Sequence, residues 1–256
     1  MLSSSNTLTD SSHRLQYKVK KDPYDSRDLS RRFDNKEVDD VVDLRIFCSP
    51  VEDQMHLGSC VAQAIVGAFE LLINKDSPDK FLDLSRLFLY YNARLLENFV
   101  EVDSGAYTRD GVKAATRWGI CSEALWPYLI DKFDDLPDKE SYFDAEKRII
   151  RKYYRADTIE DIITALHNGY PVVASMNVFE GFDDLPEHGK LPIPSLTDYM
   201  LGSHAICIVG YDNIEKYFIC RNSFGEQWGD QGYFYMPYVY AEKHLMDNWF
   251  FDIRVK

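Results

Sequence analysis

Apolar residues change their spacing once along this chain, near Gly169, and that change restricts the fold more than any other feature. Before it they recur every three or four residues. Val61, Ile65, Ala68, Phe69 and Leu72 mark one buried helical face, and Leu87, Phe88, Tyr91, Leu95 and Leu96 a second. The spacing predicts helices from Ser59 to about Asn74, from about Ser85, and from Thr108 to Trp118, with Gly119 as a stop. A charged helix is expected over about Ser141 to Arg151. Thr158-Ile-Glu-Asp reads as a capping box for a helix ending at Asn168. Beyond Gly169 the pattern is that of strands: Pro171–Met176, His204–Gly210, Tyr217–Asn222, Gly232–Met236 and Trp249–Val255. Residues 180–200, with two Gly and three Pro, read as a long surface loop. A helical half followed by an antiparallel β half predicts an α+β chain of two lobes with a cleft between them.

Composition excludes several function classes. The formal net charge is −13, and residues 1–40 balance eight Lys/Arg against eight Asp/Glu, so the excess negative charge lies in the body. That argues against a nucleic-acid partner, which requires basic clusters. No run approaches the roughly 18 apolar residues of a membrane span, and Met1-Leu-Ser-Ser-Ser-Asn lacks the apolar core of a signal peptide. Neither membrane nor export is expected, and a soluble protein of a reducing intracellular compartment is the default. The five cysteines, Cys48, Cys60, Cys121, Cys207 and Cys220, are then read as free thiols. The histidines show no metal-ligand spacing with one another or with the cysteines, so neither a metal nor another cofactor is expected. Residues 1–40 are polar, aperiodic and broken by Pro23. They read as a disordered or surface-wrapping arm, or more sharply as an inhibitory segment lying across an active site.

Chemistry is concentrated around Cys60. Gly58-Ser59 ends a polar loop, Ser59 is placed to cap the helix, and Cys60 falls in its first turn. Unpaired N–H groups and the positive end of the helix dipole favour thiolate over thiol there, and the thiolate is the nucleophile. His204 opens a strand behind Gly202-Ser203, and Asn222 ends the next one. If those strands pair, the Asn222 amide accepts a hydrogen bond from the imidazole and fixes its orientation. His56, only four residues before Cys60, lies in the loop that holds Gln54 and is a poorer base.

Taken together, Gln54, Gly58-Ser59-Cys60, Gly202-Ser203-His204-Ala205, Asn222-Ser223-Phe224-Gly225 and Trp228-Gly229 resemble the papain-like cysteine peptidases of the C1 family over residues 41–256. His204 and Asn222 follow Cys60 by 144 and 162 residues, against a family spacing of about 130–150. The resemblance implies a helical left lobe (about 41–150) and an antiparallel, barrel-like β right lobe (about 151–256). It implies Cys60 as nucleophile, His204 as its ion-pair partner and general acid, and Asn222 as the residue orienting His204. Gln54 and the Cys60 N–H become the oxyanion hole. Gly105 and Ala106 stand where the family binds substrate backbone as an added strand, Ser203 lines the groove, and Trp228 shields the His–Asn bond. The departures are Leu57 and Val61 beside Cys60, Phe224 after Asn-Ser, and Ala106 for a glycine. These mark a divergent, intracellular, microbial or viral type without the long helical pro-segment. The expected activity is hydrolysis of protein or peptide substrates through a thioester. A papain-fold amidase or acyl transferase acting on a non-protein substrate, and a catalytically silent binding protein, remain as alternatives.

Overall fold

The computed structural model describes residues 17–34, 37–77 and 82–256. A short strand β1 (Val41–Asp43) precedes helices α1 (Cys60–Asp76), α2 (Arg86–Glu97), α3 (Thr108–Arg117) and α4 (Lys139–Ala145). Then come β2 (Arg148–Arg155), α5 (Ile159–His167), β3 (Val172–Phe179), β4 (Met200–Asp212), β5 (Tyr217–Arg221), β6 (Tyr233–Pro237), α6 (Tyr238–His244) and β7 (Leu245–Val255). The strands pair antiparallel in the order β2-β7-β3-β4-β5-β6, with β1 also on β4. This is the α+β architecture the sequence predicts.

The sheet is open rather than barrel-like, and other segments pair with part of each edge strand. Beyond β2, the Arg155 N–H donates to Leu29 O at 2.8 Å. Beyond β6, the Leu191 N–H donates to Tyr235 O at 3.0 Å and the Tyr235 N–H to Gly189 O at 2.8 Å. Part of each edge strand is thereby paired with a segment outside the sheet. Residues 148–151 belong to β2, not to a helix reaching Arg151. Their pairing with β7 at Arg148↔Val255 and Ile150↔Ile253 overrides the local charge pattern. The Thr158 capping box forms, with the Thr158 side chain and Asp161 each accepting from the other's backbone.

Helix α1 is the centre of the molecule. Every residue from Cys60 to Ile73 is buried, and the helix packs on α2, α3, β3, β4 and β7. Close approach of α3 requires Gly111: a Cβ there would lie 2.6 Å from Ile65 Cδ1 and 2.7 Å from Val61 Cγ1. The one carboxylate on this helix that is wholly buried, Glu70, is fully compensated. It accepts from Ser49 Oγ at 2.6 Å, the Leu84 N–H at 2.9 Å and Arg86 Nη2 at 3.0 Å.

Residues 22–34 form a strap along the seam between α3 and the sheet. Arg109 of α3 donates to Asp28 at 2.9 Å, and Arg31 donates to Asp252 at 2.9 Å. The Phe33 ring packs on Tyr170 and Phe250. Glu70→Ala is expected to destabilise the chain by roughly 3 kcal/mol, because Arg86 stays buried without its principal counter-charge. Denaturant unfolding measures this; a loss below about 1 kcal/mol would show that Asp83 and Glu52 suffice for Arg86.

Candidate active site

The N-terminus of α1 abuts the start of β4. Ser59 stands at the N-cap position, but its side chain does not cap the helix. Its hydroxyl pairs instead with the Tyr128 hydroxyl at 2.6 Å, while Tyr128 donates to Gln54 O at 3.0 Å. The first N–H groups of α1 are thereby left for the Cys60 sulfur, which lies within reach of the Cys60, Val61 and Ala205 backbone amides. The last of these belongs to the residue after His204, so the nucleophile candidate and the histidine are brought together across the lobes.

The β4–β5 hairpin supplies the second half. Cys207 pairs with Arg221 and Ile208 with Cys220, which carries Asn222 back alongside His204. His204 Nε2 and Asn222 Oδ1 are 2.8 Å apart, as expected from sequence. Nδ1 is buried without a hydrogen-bond partner among the described residues, and is therefore the nitrogen left to exchange a proton. Gln54 is locked to the segment after Asn222: its N–H donates to Ser223 O at 2.9 Å and its Oε1 accepts from Ser223 Oγ at 2.6 Å. One Nε2 proton goes to Leu57 O at 2.9 Å, leaving the other available.

The remaining predicted residues are placed as follows. Gly105 has φ +69° and donates its N–H to Tyr90 Oη at 3.1 Å; Ala106 is fully buried. Ser203 Oγ donates to Asn177 Oδ1 at 3.2 Å. Trp228 does not stack on His204. Phe224 does, with ring centroids 5.1 Å apart, and Trp228 stands behind it while donating to Asp183 O at 3.0 Å. Phe224, directly after Asn-Ser, thus stands beside the His204 ring where Trp228 is expected.

The sequence offers residues 1–40 as a segment across the active site, but does not name the residue that meets His204. Tyr17 lies edge-on to the His204 ring at 5.6 Å, and its hydroxyl donates to Asp183 Oδ1. The Val19 N–H donates to Ser203 O at 3.1 Å, and Lys18 Nζ reaches Asp103 Oδ2 at 2.6 Å, so the segment 17–19 ties both lobes. Gly105 and Gly202 admit its backbone: a Cβ on the first would lie 2.7 Å from Lys18 O, and on the second 2.5 Å from Tyr17 O. No sequence signal marks Tyr17, because its contacts are more than 160 residues away.

Enclosure reverses the charge state expected from the helix dipole. Burial pushes the Cys60 thiol up to about 12 against the lowering effect of the backbone amides. Burial also pushes His204 down to about 4 despite its Asn222 bond. The covered pair is thiol and neutral imidazole.

Asp22 continues the segment. Its backbone N–H donates to Asp247 Oδ2 at 2.7 Å, and its carboxylate accepts from Trp249 Nε1 at 2.8 Å and the Arg109 N–H at 3.2 Å. Burial, then the Asp247 charge, raise its pKa to about 6. A carboxyl raised on docking stabilises the docked form while protonated; that contribution is complete below the ordinary carboxyl range and is lost as pH rises through about 6. Asp22→Asn, which cannot ionise, is expected to melt with wild type near pH 4 and roughly 5 °C above it at pH 8. A constant difference across that range in thermal melts would show that Asp22 does not titrate.

The papain family cysteine protease profile matches residues 35–248. An uncharacterized peptidase C1-like protein of Acanthamoeba polyphaga mimivirus is 37% identical over 238 residues, 86% of this chain and 76% of that one. Cathepsin K of Gallus gallus is 28% identical over 201 residues, and the chain spans only 54% of its length. Among solved structures, xylellain, a cysteine protease from Xylella fastidiosa, superposes with a TM-score of 0.87 at 31% identity, covering 95% of this chain and 97% of that one. By profile, sequence and structure, this chain belongs to the papain family of cysteine peptidases.

Proposed function

We propose that the chain hydrolyses peptide bonds with Cys60 as nucleophile and His204 as its proton partner, and that residues 17–20 hold this site closed until displaced. The observation that carries the reading is the His204–Asn222 bond with a free Nδ1 at the N-terminus of α1. Once uncovered, the sulfur and imidazole regain water and the helix dipole. Proton transfer from Sγ to Nδ1 then gives the thiolate–imidazolium pair. The thiolate attacks the substrate carbonyl, the Cys60 N–H and the free Gln54 Nε2 proton stabilise the oxyanion, and His204 returns its proton to the departing amine. Water then hydrolyses the thioester with His204 as base.

The closing segment and the strap are separable by their energetics. Residues 17–20 rest in the cleft, whereas residues 22–34 pair with β2, α3 and β7. Cys60 should be alkylated by iodoacetamide slowly in the full chain, with a rate still rising above pH 9. Deletion of residues 1–20 is expected to speed labelling at least about tenfold near neutral pH and to raise peptide turnover in parallel. Deletion of residues 1–40 should instead lower stability, since it removes the Asp22, Asp28, Arg31 and Phe33 contacts. Equal labelling of the full chain and the 1–20 deletion would refute closure by this segment; labelling spread evenly over the five cysteines would refute an activated Cys60.

Asn222→Ala is expected to cut turnover by roughly tenfold or more while Cys60 remains alkylatable, because the imidazole loses its fixed orientation. Turnover equal to wild type would remove that role.

A further inference from the structure

The side chain that fills the cleft beside His204 is a tyrosine held in a built pocket. Phe182 meets the Tyr17 ring at 6.3 Å edge-on, Phe224 at 6.5 Å and His204 at 5.6 Å. Trp228 backs both phenylalanines, at 5.1 Å from Phe182 and 5.5 Å from Phe224. Asp183 closes the far end and accepts the hydrogen bond of the phenol hydroxyl. The pocket is therefore apolar along its sides and carries one carboxylate acceptor at the depth of a tyrosine hydroxyl. Tyr17 is 7% exposed within it.

Its position relative to the chemistry is fixed by the segment itself. Lys18 to Lys20 follow the groove bordered by Gly105, Tyr107 and Ser203, and Tyr17 reaches the His204 ring. A departing amine must receive its proton from His204, so the residue bearing that amine lies beside the same ring. On the peptidase reading above, we infer that the Phe182–Phe224–Asp183 pocket selects tyrosine in the residue that begins the leaving-group side of the substrate, and that Tyr17 occupies it as a resident mimic. Ring burial against three aromatic walls favours tyrosine and phenylalanine over alanine by roughly tenfold to a hundredfold. The hydroxyl bond to Asp183 adds about tenfold for tyrosine over phenylalanine.

Acyl transfer reads this pocket without reference to the acyl side. The full chain carrying Tyr17→Ala is acylated at Cys60 from a peptide ester, and the thioester is partitioned between water and added amino-acid amides. The amine nitrogen attacks the thioester carbonyl, the C–N bond forms as the C–S bond breaks, and the amine proton passes through His204 to sulfur. Tyrosinamide should capture more product than phenylalaninamide, and both far more than alaninamide. Asp183→Ala in the same background should erase the tyrosine-over-phenylalanine gap while keeping phenylalanine over alanine. Lysinamide equal to tyrosinamide, or no discrimination among the amides despite ester turnover, would overturn the inference while leaving the peptidase reading intact. No turnover of any ester or peptide would overturn both.

A second measurement uses the resident side chain. In the otherwise unaltered chain, Tyr17→Phe should speed Cys60 alkylation by about tenfold and Tyr17→Ala by more. Tyr17→Phe and Asp183→Ala should not add, since each removes the same bond. Equal rates for Tyr17→Phe and Tyr17→Ala would show that the aromatic walls contribute nothing and would overturn the pocket.

Discussion

A helix buried on every side can meet the surface only at its ends, and α1 is such a helix from Cys60 to Ile73. The left lobe packs on one flank and the sheet on the other, so neither lobe has a complete core without it. Its N-terminus then becomes the place where the lobes diverge, and the cleft opens at the positive end of its dipole. The arrangement demands compensation elsewhere: Gly111 lets α3 approach, and Glu70 is matched by Arg86, Ser49 and the Leu84 N–H. Ser59, turned toward Tyr128, gives up the cap so that the first amides of α1 face sulfur. Stability and reactivity are thus settled at the same few residues.

The N-terminal segment uses the cleft in two different ways. Along the strap, Asp22, Asp28, Arg31 and Phe33 make contacts of the kind that hold a domain together. At its leading end, Tyr17 to Lys20 lie on the Ser203 carbonyl, the Gly105 backbone and the His204 ring. Cys60 and His204 are buried, Tyr17 packs on the His204 ring, and desolvation outweighs the backbone amides that stabilise a thiolate. On the proposed reading, this segment couples occupancy of the groove to the protonation state of the pair. The same physics makes Asp22, held beside the Asp247 carboxylate, a costly charge in the docked state.

Much of the site was legible because its parts are local. A cysteine after Gly-Ser at the start of an apolar stripe, and a histidine and asparagine on consecutive strands, need only a helix and a hairpin to acquire their geometry. Other features depend on pairings far apart in sequence. The charge pattern of 141–151 suggests a helix, yet β7 recruits residues 148–155 into the sheet. Trp228 is the expected shield for His204, but the turn after Asn222 puts Phe224 there first. The barrel-like lobe that the family resemblance implies is an open sheet, whose edge strands pair in part with Leu29 and with residues 189–191.

The sequence by itself determined which candidate groups are presented and in which order of elements, since helix period, strand period, caps and turns act over a few residues. Only the tertiary structure decided what covers those groups. Tyr17 meets Asp183 across 166 positions, and Asp22 meets Trp249 across 227. Such contacts arise from the closure of two lobes around one helix, and no local propensity encodes them. The resting charge of Cys60 belongs to that same level, because burial is a property of the assembled chain.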